Sequence, residues 1–130
     1  MSAEFEFRHA EKIVFVRYLG VVTANSCDET FSQYVENYTH PATYNILVDF
    51  SQAEAIDMSF QQMLSISYRR DTVYRRWGQT RMALLAPETP IFAMARMYAA
   101  AAHQADFLEA EAFRDRDEAM AFLAADPAQP

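Results

Sequence analysis

A chain of 130 residues with 52% apolar and 14% aromatic side chains is long enough to bury a core and too apolar to be disordered. Its net charge of −7 excludes a general nucleic-acid binder, whose phosphate contacts need clustered positive charge. Uninterrupted apolar runs such as Met97–Ala102 fall far short of the roughly 20 residues of a membrane helix, so no membrane span is expected.

The opening Met1-Ser2-Ala3-Glu4-Phe5-Glu6 carries acid where a secretory leader needs a basic and then an apolar segment. The single cysteine, Cys27, cannot form an internal disulfide or a cysteine-built metal site, which fits a reducing compartment. The expected location is the cytoplasm. With no Gly/Ser linker or repeat, the expectation is a single domain over 1–130, with 126–130 as a frayed tail.

Glu4–Phe7 alternates with period two and Ile13–Val16 follows a polar turn, predicting an opening hairpin whose second strand ends at Gly20. Ala24, Cys27, Phe31, Tyr34 or Val35, and Tyr38 then recur at helical steps, with Thr23 or Asn25 as cap and His40-Pro41 as stop. Tyr44–Phe50 has the apolar centre of a strand covered on both faces. Ser51–Met58 reads as a polar loop. Ser59 caps a second helix with Phe60, Met63, Leu64, Ser67 and Tyr68 along one side, a break at Asp71, and Gly78 as its close. Arg81–Ala86 reads as a buried strand. Thr89 caps a third helix from Pro90 to about Ala105. Phe107–Phe113 alternates as an edge strand with Glu109 and Glu111 on its exposed side, and Asp115 or Asp117 opens a last helix.

The order β-β-α-β-α-β-α-β-α predicts an α/β fold: a mixed, mostly parallel five-stranded sheet with four helices and an antiparallel edge hairpin. With Ile46-Leu47-Val48-Asp49-Phe50-Ser51, Met94-Ala95-Arg96-Met97-Tyr98 and the ending Phe113–Leu123, the chain resembles the bacterial SpoIIAA-like proteins of the STAS group. Some members of that superfamily are phosphorylation-switched anti-sigma-factor antagonists, and the related CRAL-TRIO domains carry lipids. The antagonists open their second helix with Asp-Ser-Ser-Gly or Asp-Ser-Thr-Gly. The matching stretch here is Asp57-Met58-Ser59-Phe60, so Met58 stands where the phosphorylated serine would, and the resemblance implies that the switch is absent. Ser59 is the nearest hydroxyl and reads as a helix cap.

No Gly-x-Ser-x-Gly elbow, Walker loop or Gly-x-Gly-x-x-Gly turn occurs, so no catalytic constellation is expected. Cys27 reads as packed rather than reactive. Asp49, Glu54 and Asp57 lie near the end of the core strand, either to hold a cation or polar group or simply as a polar loop. His9, His40 and His103 lack ligand spacing, and neither a metal nor a cofactor is expected.

Two segments stand as binding candidates. Arg69, Arg70, Arg75 and Arg76, with Trp77 beside them, could hold an anion or lipid head group, or form a solvated helix face. The third helix is apolar almost all round, so Phe92, Met94, Met97 and Tyr98 meet either the monomer's own core or a second subunit. The expected function is a non-enzymatic, homodimeric regulatory module acting through protein contacts, with a carrier of a small apolar or amphipathic ligand as the alternative.

Overall fold

Asn45–Asp49 (β4) is apolar at successive positions because both of its faces are covered. Ile46 and Val48 pack under three helices, while Leu47, fully buried, packs under a fourth on the opposite side. The computed structural model describes residues 3–37, 44–77, 79–104 and 108–124; the side chains of 37 and 73–77 lie outside that description. Around β4 stand Ala3–Arg8 (β1), Ile13–Tyr18 (β2), Thr80–Leu85 (β6) and Leu108–Phe113 (β7), in the order β1-β2-β4-β6-β7. β1 runs antiparallel to β2 and the other pairs are parallel. This is the expected mixed α/β sheet.

Ala24–Asn37 (α1), Phe60–Trp77 (α2) and Thr89–Ala102 (α3) contribute side chains to the larger core, with Val14, Val16, Tyr18, Met82 and Leu84 from the sheet. Tyr34 of α1 stacks on Phe5 and Phe7 of β1 at 6.4 and 6.2 Å. Arg116–Ala124 (α4) covers β4 and β6 on the other face, seating Ala119 and Leu123 against Leu47, Ala83 and Leu85.

Two short strands were not expected. Gly20–Thr23 (β3) and Ala53–Asp57 (β5) form a separate two-stranded parallel ribbon in which Val22 and Ile56, both buried, are partners. The segment read as a polar loop is thus partly a strand. Gly20 adopts φ +69°, a left-handed conformation that glycine takes without steric cost and that lets β3 start one residue beyond β2.

The helices also depart from their predicted bounds. α2 runs through Asp71 without a break, since neither proline nor glycine interrupts 60–77. Its buried stripe is Met63, Ile66, Ser67, Arg70 and Asp71, while Phe60 and Tyr68 face outward, so the apolar side is rotated from the one expected. α3 begins at Thr89, with Glu88 at the cap position, and ends at Ala102. On β7, Phe113 packs in the smaller core and Glu109 pairs with Arg81 at 3.2 Å, so only part of the side expected to be exposed is open. Gly78, Phe107 and 126–130 lie outside the described residues.

Local bonds fix the helix starts. Thr23 Oγ1 accepts from the Ser26 N–H and Ser26 Oγ from the Thr23 N–H; Ser59 and Gln62 exchange the same pair of bonds at α2. Asp115 caps α4 by accepting from the Glu118 N–H. The Asn45 amide ties α4 to the sheet, donating to Leu123 O at 2.9 Å and accepting from the Arg81 N–H at 2.9 Å. Asn45→Ala strands both backbone groups and is expected to cost about 2 kcal/mol in urea unfolding; an unchanged midpoint would show that α4 is held by packing alone.

Candidate functional site

The i+3 and i+4 steps from Met63 through Ile66 and Ser67 carry Arg70 into the protein, where it is 7% exposed. Its Nη1 donates to Tyr98 Oη of α3 at 2.8 Å and its Nη2 to Cys27 O of α1 at 2.8 Å. The guanidinium lies over the Phe31 ring, 4.7 Å from its centroid. One side chain of α2 thus grips both neighbouring helices above the sheet. Two small cavities flank it: one of about 30 Å³ bounded by Phe5, Tyr18, Thr30, Phe31 and Tyr34, and one of about 20 Å³ touching Cys27, Phe50 and Tyr98.

Burial pushes the Cys27 thiol above its ordinary value of 9.0, and Arg70 pulls it back only in part. Burial likewise raises the Tyr98 phenol and lifts that of Tyr18 well above the usual range. The thiol is therefore held protonated and inert. Several helix hydroxyls are committed to backbone: Ser26 donates to Thr23 O, Thr30 to Ser26 O and Ser67 to Met63 O.

The arginine group expected from the sequence divides. Arg69 points outward, 59% exposed, and pairs with Asp28 of α1 at 3.2 Å, whereas Arg70 is interior and not on a solvated face. The side chains of Arg75, Arg76 and Trp77 lie outside the described residues. Met58 is buried and Ser59 is the α2 cap. Asp49 is buried too, its Oδ1 accepting from the Ser51 N–H at 2.8 Å to shape the turn after β4. Glu54 and Asp57 are exposed on β5. His9 meets Tyr44 Oη at 2.9 Å, His103 follows the end of α3, and His40 is outside the described residues.

On α3 the monomer absorbs most of the apolar surface. Tyr98 is buried, and Phe92, Met94 and Met97 are partly buried against the larger core, with Arg114 stacked 4.3 Å above Phe92. Of the two places expected for it, the monomer's core or a subunit interface, Tyr98 therefore takes the core. The exposed strip of α3 is instead Ala93, Arg96 and Ala100, continued by His103 and Gln104. Between this strip and β7 runs an open groove of about 540 Å³ lined by Arg96, Ala99, His103, Ala110, Glu111 and Ala112. A smaller cleft of about 130 Å³ lies on the other face, where α4 leaves β1 and β2 partly open, and Arg8 and Arg116 cover the Phe15 ring at 4.2 and 5.4 Å.

No family model matches the sequence, and no curated protein matches it significantly. Among solved structures, the chain is similar to an uncharacterized DUF3478-family protein with a SpoIIAA-like fold from Shewanella loihica PV-4. The TM-score is 0.55 over 93% of this chain and 91% of that one, at 11% sequence identity. The chain has a SpoIIAA-like fold. At that identity the likeness carries the architecture and no activity. In this SpoIIAA-like chain the chemistry is that of a structural cation: Arg70 joins three helices, and the large concavity lies outside them at the sheet edge.

Arg70→Gln is expected to cost about 2–4 kcal/mol, because it strands Tyr98 Oη and Cys27 O and enlarges the cavities. Arg69→Gln should change stability by less than about 1 kcal/mol, as for exposed pairs. Equal losses in urea unfolding would contradict this assignment. Alkaline behaviour follows from the same burial. Above pH ~9 the unfolded chain releases protons that folded Cys27, and later Tyr18 and Tyr98, retain, so stability is intact below that range and falls as pH rises. Melting temperatures from pH 7 to 11 check the sign, and a rise above pH 9 would refute it.

Proposed function

We propose that this SpoIIAA-like chain is a non-enzymatic binding module that works by docking a protein on its surface. The observation carrying this reading is the distribution of empty space. A pocket for a drug-sized or lipid-like ligand needs roughly 300–1,000 Å³. The cavities beside Arg70 hold about 30 and 20 Å³, enough for a water and little more. The groove along α3 and β7 is large, at about 540 Å³, but it is shallow and open to solvent rather than enclosing, which suits a docking surface better than a pocket that buries a ligand. The filled interior makes a carrier of an apolar ligand the weaker account, since binding would require α1, α2 and α3 to separate and the bonds of Arg70 to break.

A regulatory role in the cytoplasm fits this reading, and no helix among the described residues is long and apolar enough to cross a membrane. Cys27, the strongest intrinsic nucleophile in the chain, is buried and held as a thiol, which supports a role without covalent catalysis. Native mass spectrometry of protein purified from cells without denaturant is the test. The expected spectrum shows the 14.9 kDa polypeptide, or whole multiples of it, without a stoichiometric small molecule. A retained apolar ligand at one per chain would overturn the docking reading in favour of a carrier.

A further inference from the structure

We propose that the cleft between α4 and the β1–β2 hairpin binds a small zwitterion of the α-amino-acid class, at a site separate from the docking groove and independent of it.

The sheet register builds this site. Glu4 of β1 and Asp49 of β4 flank Arg17 of β2 in one row across three strands, and Glu6 and Leu47 flank Phe15 in the next. Phe15 and Leu47 belong to the core beneath α4, so both rows lie on the α4 face. α4 packs on β6, β4 and β7 and leaves this corner as a cleft of about 130 Å³. Arg116, the first residue of α4, holds its guanidinium 5.4 Å from the Phe15 centroid. Arg17 and Asp49 stand at the carboxyl ends of β2 and β4, and Arg116 just beyond that of β7. Open α/β sheets bind their ligands outside this edge.

Asp49 carries the inference. It is only 6% exposed, yet it lines the cleft. Its Oδ1 accepts from the Ser51 N–H; its Oδ2 is met, among the described residues, by Arg17 Nε alone at 3.7 Å, beyond hydrogen-bond length. A carboxylate withdrawn from water gains most from a closer donor. Arg17 is half exposed, and neither its Nη groups nor the Arg116 guanidinium bonds to another described residue. Arg8, by contrast, is committed to Glu6. The cleft therefore offers an under-bonded buried acceptor with under-bonded cationic donors beside it.

That arrangement selects the ligand. The lining holds three carboxylates, Glu4, Glu6 and Asp49, and three guanidiniums, so a lone anion or a lone cation meets its own sign as well as its opposite. A molecule with an ammonium and a carboxylate on one carbon lays each against its complement. The ammonium donates to Asp49 Oδ2, and the carboxylate accepts from Arg17 and Arg116. The cleft's 130 Å³ is the space of about four waters, which admits glycine or alanine and is too small for a nucleotide or a lipid. So small a ligand in an open cleft is held weakly and is lost in purification, unlike an apolar guest.

Amide-resolved NMR titration of the full chain with glycine and L-alanine, and with acetate and methylammonium as half-ligands, tests the proposal. The amino acids are expected to shift amides near 15–17, 49–51 and 115–117 saturably, with a dissociation constant of about 1 mM or below, and each half-ligand to bind at least about tenfold more weakly. Arg116→Gln and Asp49→Asn should each weaken the amino acids about tenfold or more. Arg116→Gln, at an exposed position, should leave the melting temperature nearly unchanged, and it carries the test with Arg17→Gln if Asp49→Asn fails to fold. No saturable shift up to tens of millimolar overturns the proposal. Acetate binding as tightly as glycine overturns it in favour of a plain anion site, and amino-acid binding indifferent to Arg116→Gln and Arg17→Gln places the ligand elsewhere and overturns it too.

Discussion

The arrangement of the helix layer depends on one buried cation. Taking a guanidinium out of water costs several kcal/mol, and the structure answers with charge-assisted bonds to Tyr98 Oη and Cys27 O and with the Phe31 face. Each such bond returns about 1.5–3 kcal/mol and a desolvated cation–π contact about 2, so Arg70 comes out near balance. Its effect is therefore on geometry. The three groups that satisfy it lie on α1 and α3, and they are satisfied together only when both helices stand in one position relative to α2.

That constraint shapes what the protein can do. With Arg70, Phe31, Tyr18 and Tyr98 filling the space above the sheet, the interior has little room for a guest, and Tyr98 Oη and Cys27 O within it are both taken by Arg70. Recognition is left to the outside. There, among the described residues, the sheet is unevenly dressed: α4 alone covers its second face, and β7 ends the sheet beside the exposed strip of α3. A rigid, filled core supporting an open edge is the division of labour that suits a docking module.

Much of this architecture is legible in the residues. The strict alternation of Glu4–Phe7, the doubly apolar strand at Asn45–Asp49 and the capping residues Thr23, Ser59 and Asp115 each follow from local physics, and each is found. The β3–β5 ribbon escapes because strands of four and five residues leave too few alternations to detect, and Ala53-Glu54-Ala55 is weakly apolar. Arg70 escapes for a different reason. Grouped by charge with Arg69, it reads as surface; placed by helical position, seven residues after Met63 and four after Ile66, it falls on the buried stripe. Position decides, because a long side chain can bury its stem and still bring its head to distant acceptors. Tyr98 follows from Arg70, since the phenol within an apolar helix needs a partner for its hydroxyl and finds it inside.

Whether Arg70 and Tyr98 act as one unit is the point on which this description turns. A double-mutant cycle of Arg70→Met and Tyr98→Phe in urea unfolding measures it directly. If the guanidinium and the phenol hold α2 to α3 together, the double variant loses about 1.5–3 kcal/mol less than the sum of the single losses, because neither group is left buried without the other. Losses that add within about 0.5 kcal/mol would show two independent side chains and contradict the account.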